Sequence, residues 1–136
     1  MGADVGHIKA KAGKAFEGRG EVLVAYLYGS VAKGKDCKGS DIDIGVVLAD
    51  DYRPGPFYES RLSAELSKAF GAEAEVRVLK GQSIVFLHQV LKYSVLLFSR
   101  DEKTRVGFET DTYSRYLDFR PFFEGYNRER ERRVLA

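Results

Sequence analysis

The sequence is poor in the residues that form disulfides and zinc sites. Cys37 is its only cysteine, and it has two histidines among 136 residues. A single cysteine excludes a disulfide within the chain, and this set is too small for a zinc cluster of cysteines and histidines. Proteins without disulfides are typical of the cytosol, so we expect a cytoplasmic protein.

Long apolar runs and a strong net charge are also missing. No apolar run approaches the roughly 20 residues of a membrane-spanning helix, so we expect no membrane segment. Residues 1–16 lack the apolar core of a signal peptide, which argues against secretion. The formal net charge is +2. So small an excess of positive charge does not predict direct binding to nucleic acid, which depends on phosphate contacts.

What the sequence does contain is an alternation of strands and helices. With 44% hydrophobic residues in a chain of 136, we expect a single domain, 1–136, around one core. Continuous or alternating apolar runs predict strands at 21–29, 41–49, 72–80 and 95–98. Apolar residues at helical spacing predict helices at 7–18, 58–71, 83–94 and 101–119. The predicted fold class is therefore α/β or α+β, with a small sheet.

Local signals mark where the helices begin and end. Ser83 is a suitable N-cap, and Gly71 is a suitable C-cap for the preceding helix. Pro121 is expected to end or kink the last helix, because proline lacks a backbone N–H. That last helix carries one stripe of spaced side chains, formed by Val106, Thr110, Tyr113 and Leu117.

Two aspartates begin the second predicted strand. Asp41 and Asp43 alternate with isoleucines, so their side chains share one face of the strand. An isolated carboxylate is costly beside a core, so a cation is expected to compensate them. Mg²⁺ prefers hard oxygen ligands and is usually held by carboxylates together with substrate phosphates. The pair is therefore a candidate magnesium site, and the alternative is a solvated strand end.

A third carboxylate is available on the next predicted strand. Glu75 alternates outward on the strand 72–80. It would complete a two-metal site for in-line displacement at phosphorus. Glu73 and Arg77 share its face, so the alternative is a surface row of ion pairs.

Gly29 and Ser30 follow the first predicted strand directly. A glycine there lets the backbone approach a phosphate closely, and the serine hydroxyl adds a contact. Lys33 and Lys35 are candidates to balance phosphate charge. The alternatives are an ordinary turn between a strand and a helix, and solvated loop lysines.

The spacing of these residues is similar to that of a known superfamily. Gly29-Ser30, ten further residues and then Asp41-x-Asp43 resemble the signature of the DNA polymerase beta-like nucleotidyltransferases. Within this superfamily the chain resembles the minimal nucleotidyltransferases of the MNT type, the antitoxins of HEPN/MNT toxin–antitoxin pairs. The resemblance covers nearly the whole chain, through the segments 29–48, 79–102 and 114–126.

The resemblance implies a polymerase beta-like fold, in which helices flank a small mixed β-sheet. It implies Mg²⁺-dependent transfer of AMP from ATP to a hydroxyl. In HEPN/MNT pairs that hydroxyl is a tyrosine of the HEPN toxin, and the two proteins form a hetero-oligomer. The catalytic residues and metal ligands would be Asp41, Asp43 and Glu75. The nucleotide would be bound by Gly29, Ser30, Lys33 and Ser40.

Two positions of the chain depart from the family pattern. An aspartate is usual in the family where this chain has Glu75, and a second acid is usual at Val78.

A non-catalytic antitoxin that binds its toxin by contact would fit a site degraded at Glu75, although the intact Asp41 and Asp43 argue against it. An aminoglycoside-like, small-molecule nucleotidyltransferase would share the chemistry, but such enzymes usually carry an added helical domain.

Other reactive or aromatic side chains have simpler explanations. His88 lies on an apolar helix and is expected to be packed and hydrogen bonded. Cys37 is expected to be an incidental loop thiol, since no histidine is near it in sequence. Six aromatic residues near the C-terminus are expected mostly in the core, with a partner-facing patch as the alternative. They are Tyr113, Tyr116, Phe119, Phe122, Phe123 and Tyr126.

Overall fold

The computed structural model describes residues 4–34 and 41–135. Helices and strands alternate along this part of the chain, as the sequence predicts. In chain order they are α1 (Val5–Glu17), β1 (Val22–Tyr28), α2 (Gly29–Ala32), β2 (Ile42–Leu48), α3 (Tyr58–Phe70), β3 (Ala74–Val78), α4 (Ile84–Lys92), β4 (Val95–Ser99) and α5 (Glu102–Leu135).

The strands form one mixed sheet in the order β3-β2-β1-β4. β1 runs antiparallel to both of its neighbours, β2 and β4, whereas β2 and β3 run parallel. The small mixed sheet flanked by helices is therefore confirmed. β1 is apolar almost throughout because it is central and covered on both faces.

Two hydrophobic clusters hold the helices against the sheet. On one face, Phe16 of α1 and Leu62 of α3 pack with Ile44 of β2. On the other face, Leu87 of α4 packs with Val47 of β2, and α5 adds its own apolar contacts. Each fully buried aliphatic or aromatic side chain of this kind stabilises the fold by about 1.5–3 kcal/mol. The sheet is thus the middle layer between two pairs of helices.

The predicted helix caps are confirmed. The hydroxyl of Ser83 accepts a hydrogen bond from the backbone N–H of Phe86 at 3.2 Å, and α4 begins there. Gly71 ends α3 with a φ of 71°, in the left-handed region. Its N–H donates to the carbonyl of Ser67 at 3.0 Å, which satisfies one of the free carbonyls at the helix end.

The last helix is longer than the sequence predicts. Pro121 lies inside α5, which runs from Glu102 to Leu135, so the helix does not end there, and the kink expected as the alternative stays a prediction. Proline removes the N–H that would bond to the carbonyl of Leu117. Leu117 is 61% exposed, so this part of the helix faces water, which can replace a missing backbone hydrogen bond.

The apolar stripe of α5 faces away from the core. Val106 is 50% exposed, and Tyr113 and Leu117 are exposed as well. The helix packs through Phe108 and the fully buried Thr112 instead. Regular spacing predicts that a helix has a stripe, but it does not tell which surface covers that stripe.

A hydrogen-bonded network fixes α5 to β1. The hydroxyl of Tyr26 donates to Oε2 of Glu109 at 2.7 Å, and Nη1 of Arg105 donates to the same oxygen at 3.1 Å. The ring of Phe108 lies beside the Tyr26 ring, with 6.2 Å between centroids. Burial, followed by the hydrogen bond to Glu109, raises the pKa of Tyr26 above its ordinary value.

Candidate active site

The turn after β1 requires a glycine at its first position. Gly29 has a φ of 79°, which residues with a side chain rarely adopt. A Cβ atom at Gly29 would overlap the carboxylate oxygen Oδ2 of Asp43 and would lie 3.3 Å from its Cγ. The backbone of the turn therefore passes directly against the Asp43 carboxylate. This close approach is the physical reason for a glycine in the Gly-Ser motif.

One turn of helix follows this glycine. The backbone N–H of Lys33 donates to the carbonyl of Gly29 at 3.2 Å, which closes α2. Val31 is buried in the core and anchors the turn from below. Ser30, which follows the C-terminal end of β1, is half-buried.

The register of the sheet brings Asp43 between two other candidate residues. Asp43 pairs with Tyr28 across the antiparallel β1–β2 ladder and with Glu75 across the parallel β2–β3 ladder. Residues directly opposite each other in a ladder project from the same face, so Tyr28, Asp43 and Glu75 form a row. Asp41 lies just before β2 and is exposed.

This row carries more negative than positive charge. Burial raises the pKa of Asp43, and the neighbouring Glu75 and Asp41 carboxylates raise it further. Arg77 acts in the opposite direction and lowers the same pKa. Burial and the charge of Asp43 also raise the pKa of Tyr28 to about 12. Like charges held this close favour the binding of a cation.

Glu75 is engaged by an arginine on its own strand. Nη2 of Arg77 lies 3.1 Å from Oε1 of Glu75, and the two side chains are 48% and 49% exposed. The ion pair that the sequence allows on this face of β3 is therefore present. In the described ranges, 4–34 and 41–135, no three His, Cys, Asp or Glu side chains are grouped so that they could hold a metal ion.

The family of the chain follows from a comparison with family models. The model described as polymerase beta, nucleotidyltransferase, matches residues 10–103, which is more than half of the chain and includes the whole row from Tyr28 to Arg77. The chain belongs to the polymerase beta nucleotidyltransferase family. It is a nucleotidyltransferase, as the resemblance implied.

Solved structures share the fold of this nucleotidyltransferase. A chain of a toxin–antitoxin complex with AMP-PNP is 23% identical, with a TM-score of 0.75 over 94% of this chain and 98% of that chain. A chain from tri-AMPylated Shewanella oneidensis HEPN toxin in complex with MNT antitoxin is 22% identical, with a TM-score of 0.70 over 95% and 97%. A MntA–HepT toxin–antitoxin complex gives the same identity, TM-score and coverage. A comparison with curated proteins gives no match.

Lys33 of the nucleotidyltransferase points to a pocket beside the Gly-Ser turn. Its Nζ lies 5.0 Å from the centroid of the Tyr93 ring, and Nζ of Lys92 lies 5.3 Å from that ring. A cavity of about 460 Å³ is lined here by α2 and by the start of β4, including Ser94 and Val95. Val95 pairs with Leu27 near the end of β1, and Asp43 pairs with the next residue, Tyr28. The pocket and Asp43 therefore lie at the same end of the central strands. The predicted nucleotide contact Ser40, together with Lys35 and Cys37, lies outside the described residues.

Sequence reasoning missed two members of the site. Tyr28 directly precedes the Gly-Ser motif, and only the antiparallel register reveals that it faces Asp43. Arg77 was recognised on the same face as Glu75, but only as part of an alternative surface row. Its position two residues after a candidate metal ligand, on the same strand, was the available signal.

The remaining predictions for the C-terminal half are only partly correct. Tyr113, Phe119 and Phe122 are exposed, so the expectation that these rings lie mostly in the core is wrong for them. The side chains of Phe123 and Tyr126 lie outside the described part. In the described residues, no helix has the length and apolarity needed to span a membrane.

His88 is packed as expected but lacks one expected hydrogen bond. Its ring stacks on Tyr116, with 3.5 Å between centroids and 1° between planes. Its Nδ1 is buried, and no described group bonds to it. Burial is the main cause that lowers the pKa of His88, with smaller contributions from Lys92 and Arg120.

Proposed function

We propose that this chain transfers AMP from ATP, with Mg²⁺, to a hydroxyl of a HEPN-type toxin partner and so acts as an antitoxin. The observation that carries the proposal is the position of Asp43. It lies against the Gly29 turn and opposite Glu75, in a chain of the polymerase beta nucleotidyltransferase family. A phosphate held by the turn would therefore lie beside the carboxylates.

The chain's own residues fit a magnesium ion. Asp41 and Asp43 would supply the hard carboxylate oxygens that Mg²⁺ prefers, and phosphate oxygens of ATP would complete the shell. Asp43 supports this role because burial, and then the neighbouring Glu75 and Asp41 carboxylates, raise its pKa, and a bound cation would offset that repulsion. When bound, the ion supplies charge stabilisation at the reacting phosphate and lowers the pKa of an oxygen that it touches. Glu75 is the proposed third ligand.

The nucleotide would be held by the turn and by α2. Gly29 has no side chain to keep a phosphate away from its backbone, and Ser30 would add its hydroxyl. Lys33 would balance phosphate charge from the pocket beside Tyr93, where no carboxylate of the described residues lies within ion-pair distance of it. Ser40 is the proposed further contact.

The reaction would be an in-line displacement at the α-phosphorus. The acceptor oxygen forms a bond to that phosphorus, and the bond from it to the oxygen shared with the β-phosphate breaks. Pyrophosphate leaves, and the proton of the acceptor hydroxyl passes to a carboxylate of the row. Glu75 is the candidate, because its half-exposed position lets a partner's hydroxyl approach.

The partner is proposed from the solved neighbours and from α5. Structures that share the fold include a toxin–antitoxin complex with AMP-PNP and an AMPylated HEPN toxin with its MNT antitoxin. The exposed apolar residues of α5 are compatible with a hetero-oligomer in which a partner covers them. A tyrosine acceptor and a cytoplasmic location are part of the same proposal.

A second candidate function has one observation in its favour. Glu75 is paired with Arg77, and the described residues show no three-carboxylate metal site. An antitoxin that works by contact alone needs no such site. It would bind the toxin tightly and transfer nothing.

One experiment distinguishes these functions. The purified chain is incubated with ATP and Mg²⁺, with and without the protein encoded by the neighbouring gene, and intact masses are measured. A gain of AMP on the neighbour that disappears in Asp41→Asn/Asp43→Asn supports the transferase. Asp50→Asn/Asp51→Asn is the matched control, because these aspartates follow the opposite end of β2. A tight complex without any gain in mass would favour the contact antitoxin, and AMP on an aminoglycoside instead would favour a small-molecule acceptor.

A further inference from the structure

Arg77 is the cation placed within the row of candidate catalytic residues. It lies on β3 two residues after Glu75, so both side chains project from the same face. Its guanidinium contacts Oε1 of Glu75 at 3.1 Å. It also lowers the pKa of Tyr28, the residue opposite Asp43, against the larger effect of burial that raises it. The guanidinium therefore contacts the third member of the row, Glu75, and acts electrostatically on the first, Tyr28.

The local charges show what this arginine compensates. Two carboxylates, Glu75 and Asp41, act on a third, Asp43, at this end of the strands. Among the described groups that influence Asp43, Arg77 is the one that favours its charged form. A guanidinium and a divalent cation satisfy the same need here, so each weakens the attraction of the Glu75 carboxylate for the other.

We propose that Arg77 competes with the divalent cation for Glu75, so that the third carboxylate joins the metal site only when Arg77 releases it. This inference rests on the proposed function, because it assumes an ion at Asp41 and Asp43. In the free chain the ion is then held by the two aspartates, with Glu75 withheld. The absence of a three-carboxylate group among the described residues agrees with such a withheld state.

The contacts of Arg77 allow this exchange. An ion pair with both side chains about half exposed is weak, so a divalent cation can displace it. Tyr28 is near enough for the guanidinium to influence its pKa, so a polar side chain remains near Arg77 when Glu75 turns away. The edge of the Phe86 ring packs against the Tyr28 ring, with 6.0 Å between centroids, and holds the tyrosine there. Arg77 is thus a positioning residue that sets when the site is complete.

Direct measurement of metal binding tests the proposal without any activity assay. Mn²⁺ is titrated into the full chain, without nucleotide or partner, and free Mn²⁺ is followed by electron paramagnetic resonance. Arg77→Met keeps most of the aliphatic length and removes the guanidinium, and it should bind Mn²⁺ about twofold to fivefold more tightly. Arg115→Met is the control for net charge, because this arginine pairs with Asp111 on α5. It should leave the affinity unchanged.

A second background separates competition from simple charge repulsion. With Glu75→Gln, the residue contested by the arginine and the metal is removed, so the gain from Arg77→Met should disappear. An equal gain in the Glu75→Gln background would overturn the proposal, as would no gain in the first place. Arg77→Lys keeps the charge and loses the planar fork, so it should give a smaller gain and serves if Arg77→Met does not fold.

The same titration reports separately on the proposed function. Asp41→Asn/Asp43→Asn should lose Mn²⁺ binding, whatever Arg77 does. If the wild type and this double variant bind Mn²⁺ equally, the magnesium site at Asp41 and Asp43 is wrong, and the inference falls with it. If binding depends on the aspartates but not on Arg77, only the inference is overturned.

Discussion

Two tyrosines of β1 occupy similar positions in very different surroundings. Tyr26 and Tyr28 are two residues apart on the same face, and burial raises the pKa of both. Tyr26 donates a hydrogen bond to Glu109, whose charge is balanced by Arg105. Tyr28 stands opposite Asp43, in a row where carboxylates outnumber the single described arginine.

The difference separates a structural network from a reactive one. The network at Tyr26 joins two elements, β1 and α5, and its carboxylate is satisfied from two directions. The row at Tyr28 holds like charges together at the end of the central strands. Their repulsion destabilises the fold unless a cation is bound. Such a cost is typical of functional sites, where perturbed carboxylates cluster. The network at Tyr26 therefore stabilises the fold, whereas the row at Tyr28 destabilises it when no cation is bound.

The largest effect is expected at the turn beside Tyr28. Gly29→Ala should lower the free energy of unfolding by about 1–3 kcal/mol, because φ is positive there and the new Cβ would strike Asp43. It should also lower the rate of AMP transfer, since the turn and the carboxylate are forced apart. Urea unfolding and initial rates measure the two effects.

Gly34→Ala is the matched control for this substitution. Gly34 also has a positive φ, 70°, but a Cβ there would meet no atom of the described residues within 4 Å. It should cost about 1–2 kcal/mol through strain alone. Equal losses of stability and of transfer in the two variants would show that the contact with Asp43 is unimportant.

Removal of each tyrosine hydroxyl should have unequal effects on stability. Tyr26→Phe deprives the Glu109 carboxylate of a buried donor and should cost about 1–3 kcal/mol. Tyr28→Phe removes a hydroxyl that lies near negative charge and should change stability by less than about 0.5 kcal/mol. Thermal or urea unfolding of the two variants measures this directly. A larger cost at Tyr28 would mean that its row is the structural one.

The smallest effect is a dependence of stability on pH that arises from Asp43. Its pKa is raised in the folded state, so the folded chain binds this proton more readily than the unfolded chain does. The favourable contribution is therefore complete below the ordinary aspartate pKa of about 4 and is lost as pH rises through the raised value. Asp43→Asn should be slightly more stable than the wild type at pH 7, and the difference should vanish in acid.

Urea unfolding of the wild type and Asp43→Asn across this pH range checks the sign. Mg²⁺ at saturating concentration should remove the difference at pH 7, because the bound cation favours the charged aspartate. A wild type that is the more stable of the two at pH 7 without Mg²⁺ would contradict the charge balance described for the row.

Local sequence patterns predicted most of the sheet and part of the site. Alternation placed Asp43 and Glu75 on strand faces, and the parallel register of β2 and β3 then sets them opposite each other. The glycine after the first strand predicted a close approach of the backbone to a phosphate, which stays a prediction; the structure shows the Gly29 backbone against the Asp43 carboxylate. The alternation and the Gly-Ser motif depend on residues near one another in the chain, so local patterns capture them, whereas the register between strands comes from the structure.

What the sequence did not reveal depends on contacts between distant segments. The pairing of Tyr28 with Asp43 arises from the order of strands in the sheet, which no local pattern encodes. The same holds for the outward face of α5, because Val106 and Leu117 have helical spacing whether or not anything covers them. The prediction that the helix could end at Pro121 failed for another reason. On an exposed helix, water can replace the backbone hydrogen bond that proline cannot make.

The most direct test of the account is Mg²⁺-dependent binding of AMP-PNP to the chain alone, measured by calorimetry. The account predicts that binding requires Mg²⁺, is lost in Asp41→Asn/Asp43→Asn and is retained in Asp50→Asn/Asp51→Asn. Retained binding in the Asp41→Asn/Asp43→Asn variant, or binding that is indifferent to Mg²⁺, would contradict the claim that the row beside Tyr28 is the nucleotide site.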